Sequence, residues 1–317
     1  MKINFDEFNV SSNGELDKQI SGDVVVKEIE VKDYSRGKFL SMVLSDGKTN
    51  VKAVEWNYTP AQYLPNKNEV CSISGKIGLY NGDRNITISS IMPGATPITD
   101  FIKSNVNIVL AVELLNELVD DIRTPELSKG VKAVLSDYLE LLKVVPSARS
   151  HHHDYYAGNL QHTLEVALSV SKICDLCKLF GYDVNKDLAV VGAILHDIGK
   201  CNCYKMDGLV PEMTEVGKIH DHIVEGILII NKYRETFGEY YDLLDEIICS
   251  HHGKLEYGSP VTPCFLEAYI VSTMDGLSAG VAGMSKELES QSTRWGIKKS
   301  YAFQTYLLNY KLEDKKC

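Results

Sequence analysis

The chain has 317 residues, 44% of them hydrophobic, and a formal net charge of −10. That length and apolar content allow two domains with ordinary cores. The acidic balance excludes indiscriminate coating of nucleic acid but leaves room for a local basic groove. No apolar run reaches the length of a membrane span, and the opening MKINFDEFNV lacks the apolar core of a signal peptide. A cytoplasmic protein with no membrane association is therefore expected, its eight cysteines carried as thiols.

Residues 18–92 read as strands: Val24–Val26 and Ile29–Val31, then Phe39–Leu44, the turn Asp46-Gly47, and Asn50–Trp56. Val70–Ile77 and Ile86–Ile91 follow, split by Tyr80-Asn81-Gly82-Asp83. Five short strands with tight turns predict a small closed barrel. The stretch VKEIEV…GKFLSMVLSDGKTNVKAVEW resembles an OB-fold of the nucleic-acid-binding kind. On its expected binding face lie Tyr34, Phe39, Trp56 and Tyr58, with Lys32, Arg36, Lys38, Lys48 and Lys52 nearby in sequence. Aromatic rings beside cations suit single-stranded nucleic acid, because every base has a π-face. Phe39 and Trp56 are equally compatible with the barrel core.

Pro93-Gly94-Ala95-Thr96-Pro97 reads as a linker, dividing the chain into residues 1–97 and 98–317. Beyond it the apolar period becomes helical: Val109, Val112, Leu115 and Val119, then Val131, Val134, Leu135, Leu139 and Leu142. These helices are expected to join the barrel to the second domain and pack on it.

Further on, histidines and aspartates recur on faces that should be buried. His162 heads a stripe with Val166, Ser169 and Ile173. The apolar run Leu188–Leu195 ends in His196-Asp197, with Gly199 as a helix stop and Lys200 one turn beyond His196. His220 and His222 cannot both face inward on a regular helix. His251 extends the face of Leu244, Ile247 and Ile248, and Gly253 ends that helix. Asp275 shares a face with Ala268 and Val271 on Phe265–Leu277. A lone core histidine is usually just hydrogen-bonded, but repetition along successive helices points to a shared partner. His162, His196, Asp197, His222, His251 and Asp275 are rich enough to hold two divalent metals, with Asp197 bridging them. Lys200 would then meet a phosphate, unless Gly199 turns it to solvent. His151 is expected in a solvated loop.

The order His162, His196-Asp197, His251, Asp275 resembles the H…HD…H…D pattern of the HD-domain phosphohydrolases. HHDYYAGNLQHT, LHDIGK and SHHGKLEYGSPVTPCFLEAYIVSTMDGLSA, preceded by the barrel, resemble the YhaM-type 3′→5′ exoribonucleases along nearly the whole chain. That resemblance implies an N-terminal five-stranded OB-fold barrel followed by an all-α HD domain. It also implies a metal-dependent hydrolase that degrades single-stranded RNA, with single-stranded DNA as a second substrate, to nucleoside 5′-monophosphates. Two ions are implied, manganese foremost, with cobalt, iron or magnesium as alternatives. Asp197 and Lys200 would be catalytic, His222 and the doublet His251-His252 would add the extra ligands of members that hold two metals, and His153 and His252 would touch the substrate, His153 alternatively the metal site. A homo-oligomer is compatible with the same reading. Gln161 stands where the family usually has Glu, which removes a charge beside a metal ligand.

Other readings remain open: a nucleotide or cyclic-nucleotide phosphohydrolase with a regulatory barrel, or a nucleic-acid-binding adaptor. Cys174, Cys177, Cys201 and Cys203 offer a rival tetrathiolate zinc site, though their spacing is unlike paired knuckles. Trp295, Tyr301, Phe303 and Tyr306 are expected to pack, and Lys311–Cys317 to fray.

Overall fold

Burial alternates along residues 39–44, as a half-buried sheet demands, whereas Val24, Val25 and Val26 are all buried. The structure, a computed structural model, describes residues 2–5, 17–47, 49–80, 83–101, 106–148, 153–207 and 210–312. The chain falls into two units, Met1–Lys103 with Asp207–Val210, and Ser104–Met206 with Pro211–Cys317.

The first unit is a barrel of β1 (Gln19–Tyr34), β2 (Gly37–Ser45), β3 (Asn50–Tyr58), β4 (Val70–Tyr80) and β5 (Asp83–Pro93). It closes in the order β1-β2-β3-β5-β4, with β3 and β5 parallel and the other pairs antiparallel. This is the OB architecture. The two opening stretches of the sequence form one strand. Its first half pairs with β4 and its second half with β2, with a register shift between Val26 and Glu28. A bulge bends a strand, so β1 serves both neighbours and the sheet closes on itself. Val24, Val26, Leu40, Leu44, Ile73 and Ile86 fill the interior.

A second irregularity corrects the expected binding face. Asn57 has a positive φ of 60°, and the β2–β3 register shifts between Lys38 and Leu40. Ala53 and Glu55 point inward in the normal alternation. The bulge leaves both Trp56 and Asn57 outside and turns Tyr58 into the core. Tyr58 is therefore a barrel core residue, not a stacker. Trp56 is exposed and forms an aromatic cluster with half-buried Tyr34 and Phe39, at centroid distances of 5.3 and 4.9 Å. Tyr34 also hydrogen-bonds Asn57 through its hydroxyl. Lys32 and Lys38 are paired with Glu30 and Asp33, Arg36 is exposed, and Lys48 lies outside the described residues.

The second unit contains α1 (Ile108–Asp120), α2 (Pro125–Leu142), α3 (Gly158–Leu179), α4 (Lys186–Leu195), α5 (Lys200–Cys203), α6 (Glu215–Asn231), α7 (Arg234–Phe237), α8 (Tyr241–Ser250) and α9 (Leu266–Glu289). The chain after the linker is not purely helical, because β6 (Tyr204–Asp207) and β7 (Val210–Met213) form a small two-stranded sheet whose tip, Asp207–Val210, is counted with the first unit. Every residue of α4 from Leu188 to Leu195 is buried. A helix apolar all round belongs at the centre of a bundle. Leu115 of α1 and Leu127, Val131 and Val134 of α2 join the same core as α4, α8 and α9. They are part of the helical unit rather than mere connectors.

Near the C-terminus Leu307 and Ser300 are buried, but Trp295, Tyr301 and Tyr306 are exposed and Phe303 is half-buried. Packing therefore explains the frame of this segment and not its rings. Residues 313–317 of the expected frayed tail, and His151, lie outside the described residues. Cys174, Cys177, Cys201 and Cys203 are free thiols, and among the described residues no metal-ligand grouping contains a cysteine.

Candidate metal centre

Five helices bring the expected residues to one place. His162 comes from α3, His222 from α6 and Asp275 from α9, while His196-Asp197 and His251-His252 follow α4 and α8 directly. His162, His196, Asp197 and His251 are almost completely buried.

Local chemistry aims each imidazole. His196 Nδ1 lies 2.7 Å from the Ala193 carbonyl, His251 Nδ1 2.7 Å from that of Ile248, and His252 Nδ1 2.9 Å from that of Tyr257. A carbonyl only accepts, so in each ring Nδ1 donates and Nε2 keeps its lone pair. His222 Nδ1 donates to the Asp221 carboxylate at 2.7 Å. His162 Nδ1 lies 3.0 Å from Ser278 Oγ, which itself donates to Glu165 Oε2 at 2.6 Å. The hydroxyl therefore accepts from His162. Five Nε2 atoms face inward.

They sort into two groups around Asp197. His162 Nε2 is 3.4 Å and His196 Nε2 3.3 Å from Asp197 Oδ2, and Asp275 Oδ1 completes this group 3.0 Å from His162 Nε2. On the other side, His222 Nε2 and His251 Nε2 lie 3.7 and 3.6 Å from Asp197 Oδ1, with His252 Nε2 3.3 Å from His222 Nε2. One carboxylate thus offers an oxygen to each triad. Burial pushes the Asp197 pKa up, but Lys200 and the neighbouring imidazoles hold it well below the usual carboxylate range. Burial takes His251 well below its ordinary value, into the neutral form a ligand needs. His162 is pulled down by burial yet held at about 9 by Asp197 and Asp275, so a proton competes with a metal for its Nε2.

These residues fit a divalent cation. Asp197 Oδ1 and His251 Nε2 are buried and make no hydrogen bond, a costly arrangement unless something charged meets them. Imidazole and carboxylate donors together suit first-row divalent ions. The triads His162–His196–Asp275 and His222–His251–His252 each place their donor atoms within 4.8 Å of one another.

Residues 159–280 match the HD domain family. The chain carries an HD domain. Residues 107–201 also match a second family, TraI_2, described as a helicase. Over 287 residues the chain is 29% identical to the 3′-5′ exoribonuclease YhaM of Oceanobacillus iheyensis, covering 86% of this chain and 88% of the relative. It is 27% identical over 303 residues to YhaM of a Geobacillus species, covering 92% and 91%. Among solved structures, a replication protein A heterotrimer bound to ssDNA matches 26% of this chain and 62% of its own, at 14% identity and a TM-score of 0.21. The second OB-fold domain of replication protein A from Methanococcus maripaludis matches 26% and 88%, at 17% identity and a TM-score of 0.21.

Within the HD domain several positions differ from expectation. Gly199 does not stop a helix. Its backbone is helical, and a Cβ there would lie 1.9 Å from the His222 carbonyl oxygen, so glycine is what lets α5 press against α6. Lys200 is buried rather than solvated, with Nζ 2.5 Å from Asp197 Oδ2 and 3.3 Å from Ser147 Oγ. It lines an open pocket of about 370 Å³ shared with His222, His252, Tyr257 and Asp275. His252 Nε2 falls in one grouping with His222 and His251, and its ring also lines the open pocket. His153 is buried beside His162, its Nε2 3.2 Å from Glu165 Oε2, and the three residues form a further grouping of donor atoms. The puzzle of His220 and His222 is resolved by Asp221, at φ 59° and ψ 168°, in a region almost reserved for glycine. The kink turns His222 inward and leaves His220 on Glu225 at 2.7 Å.

Glu165 and Ser278 were missed. Glu165 accepts from His153, Ser278 and Gln161, the last at 2.7 Å. Gln161 thus supports a carboxylate one turn away instead of supplying one. The only sequence signal was spacing: Glu165 falls at i+3 from His162 and Ser278 at i+3 from Asp275.

Proposed function

We propose that this chain is a metal-dependent 3′→5′ exoribonuclease that degrades single-stranded RNA to nucleoside 5′-monophosphates. The observation that carries the reading is Asp197, one buried carboxylate set between two triads of oriented donors. The names of the relatives supply the substrate class. His162, His196 and Asp275 would hold one divalent ion and His222, His251 and His252 a second, with Asp197 shared; manganese is the proposed metal. Ions in such a donor set neutralise charge on phosphoryl oxygens and lower the pKa of water toward 7.

The chain's own residues do the rest. Lys200, fixed by Asp197 and Ser147 at the pocket wall, holds a phosphate oxygen as charge develops on it. The acceptors on each Nδ1, a carbonyl for His196, His251 and His252, the Asp221 carboxylate for His222 and the Ser278 hydroxyl for His162, keep the imidazoles aimed. The Tyr34–Phe39–Trp56 cluster of the barrel stacks bases of the strand. The test is a digest of end-labelled single-stranded RNA and DNA, with manganese, with magnesium and with chelator, followed by product analysis. A metal-dependent ladder shortening from the 3′ end with mononucleotide products is expected. Hydrolysis of free nucleotides alone would favour a small-molecule phosphohydrolase instead.

A further inference from the structure

We propose that residues 290–312 form a second single-stranded RNA platform, on the helical unit itself. The inference rests on the exoribonuclease reading and extends it to a site outside both the metal centre and the barrel.

The composition is the first observation. In a chain of net charge −10, residues 290–312 contain Arg294, Lys298, Lys299 and Lys311 and no Asp or Glu. The same stretch holds Trp295, Tyr301, Phe303, Tyr306 and Tyr310. Packing explains such aromatics only if they are buried, and most are not. Tyr301 is 93% exposed, Tyr310 75%, Trp295 55% and Tyr306 49%. Exposed rings interleaved with cations are the hardware of sequence-tolerant single-strand binding, where rings stack bases and cations follow the backbone.

The segment is also built to hold those rings in place. It folds back on itself through an antiparallel bridge between Trp295 and Leu308, with Gly296 N–H donating to the Leu307 carbonyl at 2.9 Å and Asn309 N–H to that of Arg294 at 2.7 Å. Ser300 and Leu307 are buried beneath it. Ser300 Oγ donates to Glu287 at 2.9 Å and Asn309 Nδ2 to the Leu288 carbonyl at 3.0 Å, pinning the loop to the end of α9. Ordering a loop in this way while its rings face solvent is costly unless something stacks on them. The Lys299 ammonium stands 6.0 Å over the Tyr306 ring, so charge and π-face are offered together. α9 carries Asp275, and its remaining 14 residues to Glu289 span about 21 Å. The platform is therefore a few nucleotides of strand from the proposed metals. The occupant is argued from charge: the four cations of residues 290–312 outnumber the one carboxylate the loop engages, Glu287 through Ser300, and a cationic aromatic surface on an acidic protein suits a polyanion with stacking faces.

The test uses the full-length protein and two variants, Tyr301→Ala and the double variant Lys298→Ala/Lys299→Ala. All substituted side chains are exposed, so folding should be unaffected, and a thermal melt checks this. KM and kcat are measured on a single-stranded RNA of about 20 nucleotides and on a trinucleotide, across a range of salt. Tyr301→Ala should raise KM for the long RNA about 5-fold or more, the loss of one stacked base. The lysine variant should flatten the slope of log affinity against log salt by about 1.4, or about 0.7 for each phosphate no longer neutralised. Both should leave kcat and the trinucleotide unchanged. Unchanged KM and salt slope in folded variants of an active parent would overturn the platform alone. A parent that neither binds nor cuts the long RNA would overturn the exoribonuclease reading instead. Variants that alter sedimentation of the protein without altering RNA affinity would show that another copy covers this face, and would also overturn the proposal.

Discussion

The barrel and the helical unit depart from ordinary globular design in opposite directions. The barrel's interior is mainly apolar, and its unusual feature is outside, where Trp56 is exposed against Tyr34 and Phe39. In the helical unit, apart from the exposed rings of residues 290–312, the anomaly is at the centre. His162, His196, Asp197 and His251 occupy positions where the 3.6-residue period calls for leucine. Exposed rings suit a large, variable ligand that arrives from solvent. Buried donors with fixed tautomers suit a small cation held in one geometry. The lesson is that binding and chemistry are distinguished by which side of the surface violates the hydrophobic pattern.

The sharpest way to break this contrast is at Asp197. Asp197→Ala should abolish hydrolysis, by more than about 10³-fold, since it removes an oxygen from each triad. It would also strand the buried Lys200 charge, at about 3–5 kcal/mol; Asp197→Asn removes the same charge but keeps the volume and an acceptor oxygen for Lys200, and a thermal melt shows whether it is folded. RNA binding by the barrel should survive, which a gel-shift assay checks. Near-normal turnover by folded Asp197→Asn would falsify the shared-ligand reading.

Next in size is Lys200. Lys200→Ala should keep its metal, because an ammonium has no lone pair to give, while kcat/KM falls by about 10²–10³. Metal analysis and kinetics on one preparation separate this from a structural effect. Ser278→Ala should act through His162: with the hydroxyl gone, Nδ1 loses its acceptor, and metal affinity should fall by about 10–100-fold. Titration calorimetry reads that change directly, and Ser278→Thr should restore it.

On the barrel, the pair Trp56 and Tyr58 sharpens the comparison within a few residues. Trp56→Ala should weaken binding of long RNA by about 1–1.5 kcal/mol and leave the melting temperature alone. Tyr58→Ala should do the reverse, destabilising the barrel by about 3 kcal/mol as an aromatic core truncation. If both variants bind RNA normally, the barrel contributes no stacking.

The smallest expected effect is electrostatic. Burial raises the Glu165 pKa, but hydrogen bonds from His153, Ser278 and Gln161 outweigh it and bring the carboxyl to about 2 from an ordinary 4.5. The folded state therefore favours the ionised form. That stabilisation is complete above about pH 4.5 and is lost as pH falls toward 2. Glu165→Gln should lower the melting temperature at pH 7 by a few degrees, and the gap to the parent should narrow across that acid window. Partial exposure keeps the effect small.

Much of the molecule was legible from spacing. Alternation placed five strands, and helical periodicity put His162, His251 and Asp275 on inward faces before any tertiary neighbour was known. Adjacency put His196 beside Asp197 at the end of an all-apolar helix, which is why a metal was the natural partner. Tertiary structure decided wherever the backbone leaves its period or an interaction spans distant chain. The positive φ of Asn57 moves Tyr58 to the core, and that of Asp221 turns His222 inward. A residue pattern read at constant period cannot register either, because one irregular dihedral exchanges the faces beyond it. Ser278 and Glu165, 113 residues apart, meet only when α9 packs on α3. The rings of residues 290–312 look like core in composition and are outside in fact, because aromatic content reports how much surface a side chain could bury, while the packing of the whole chain determines how much it does.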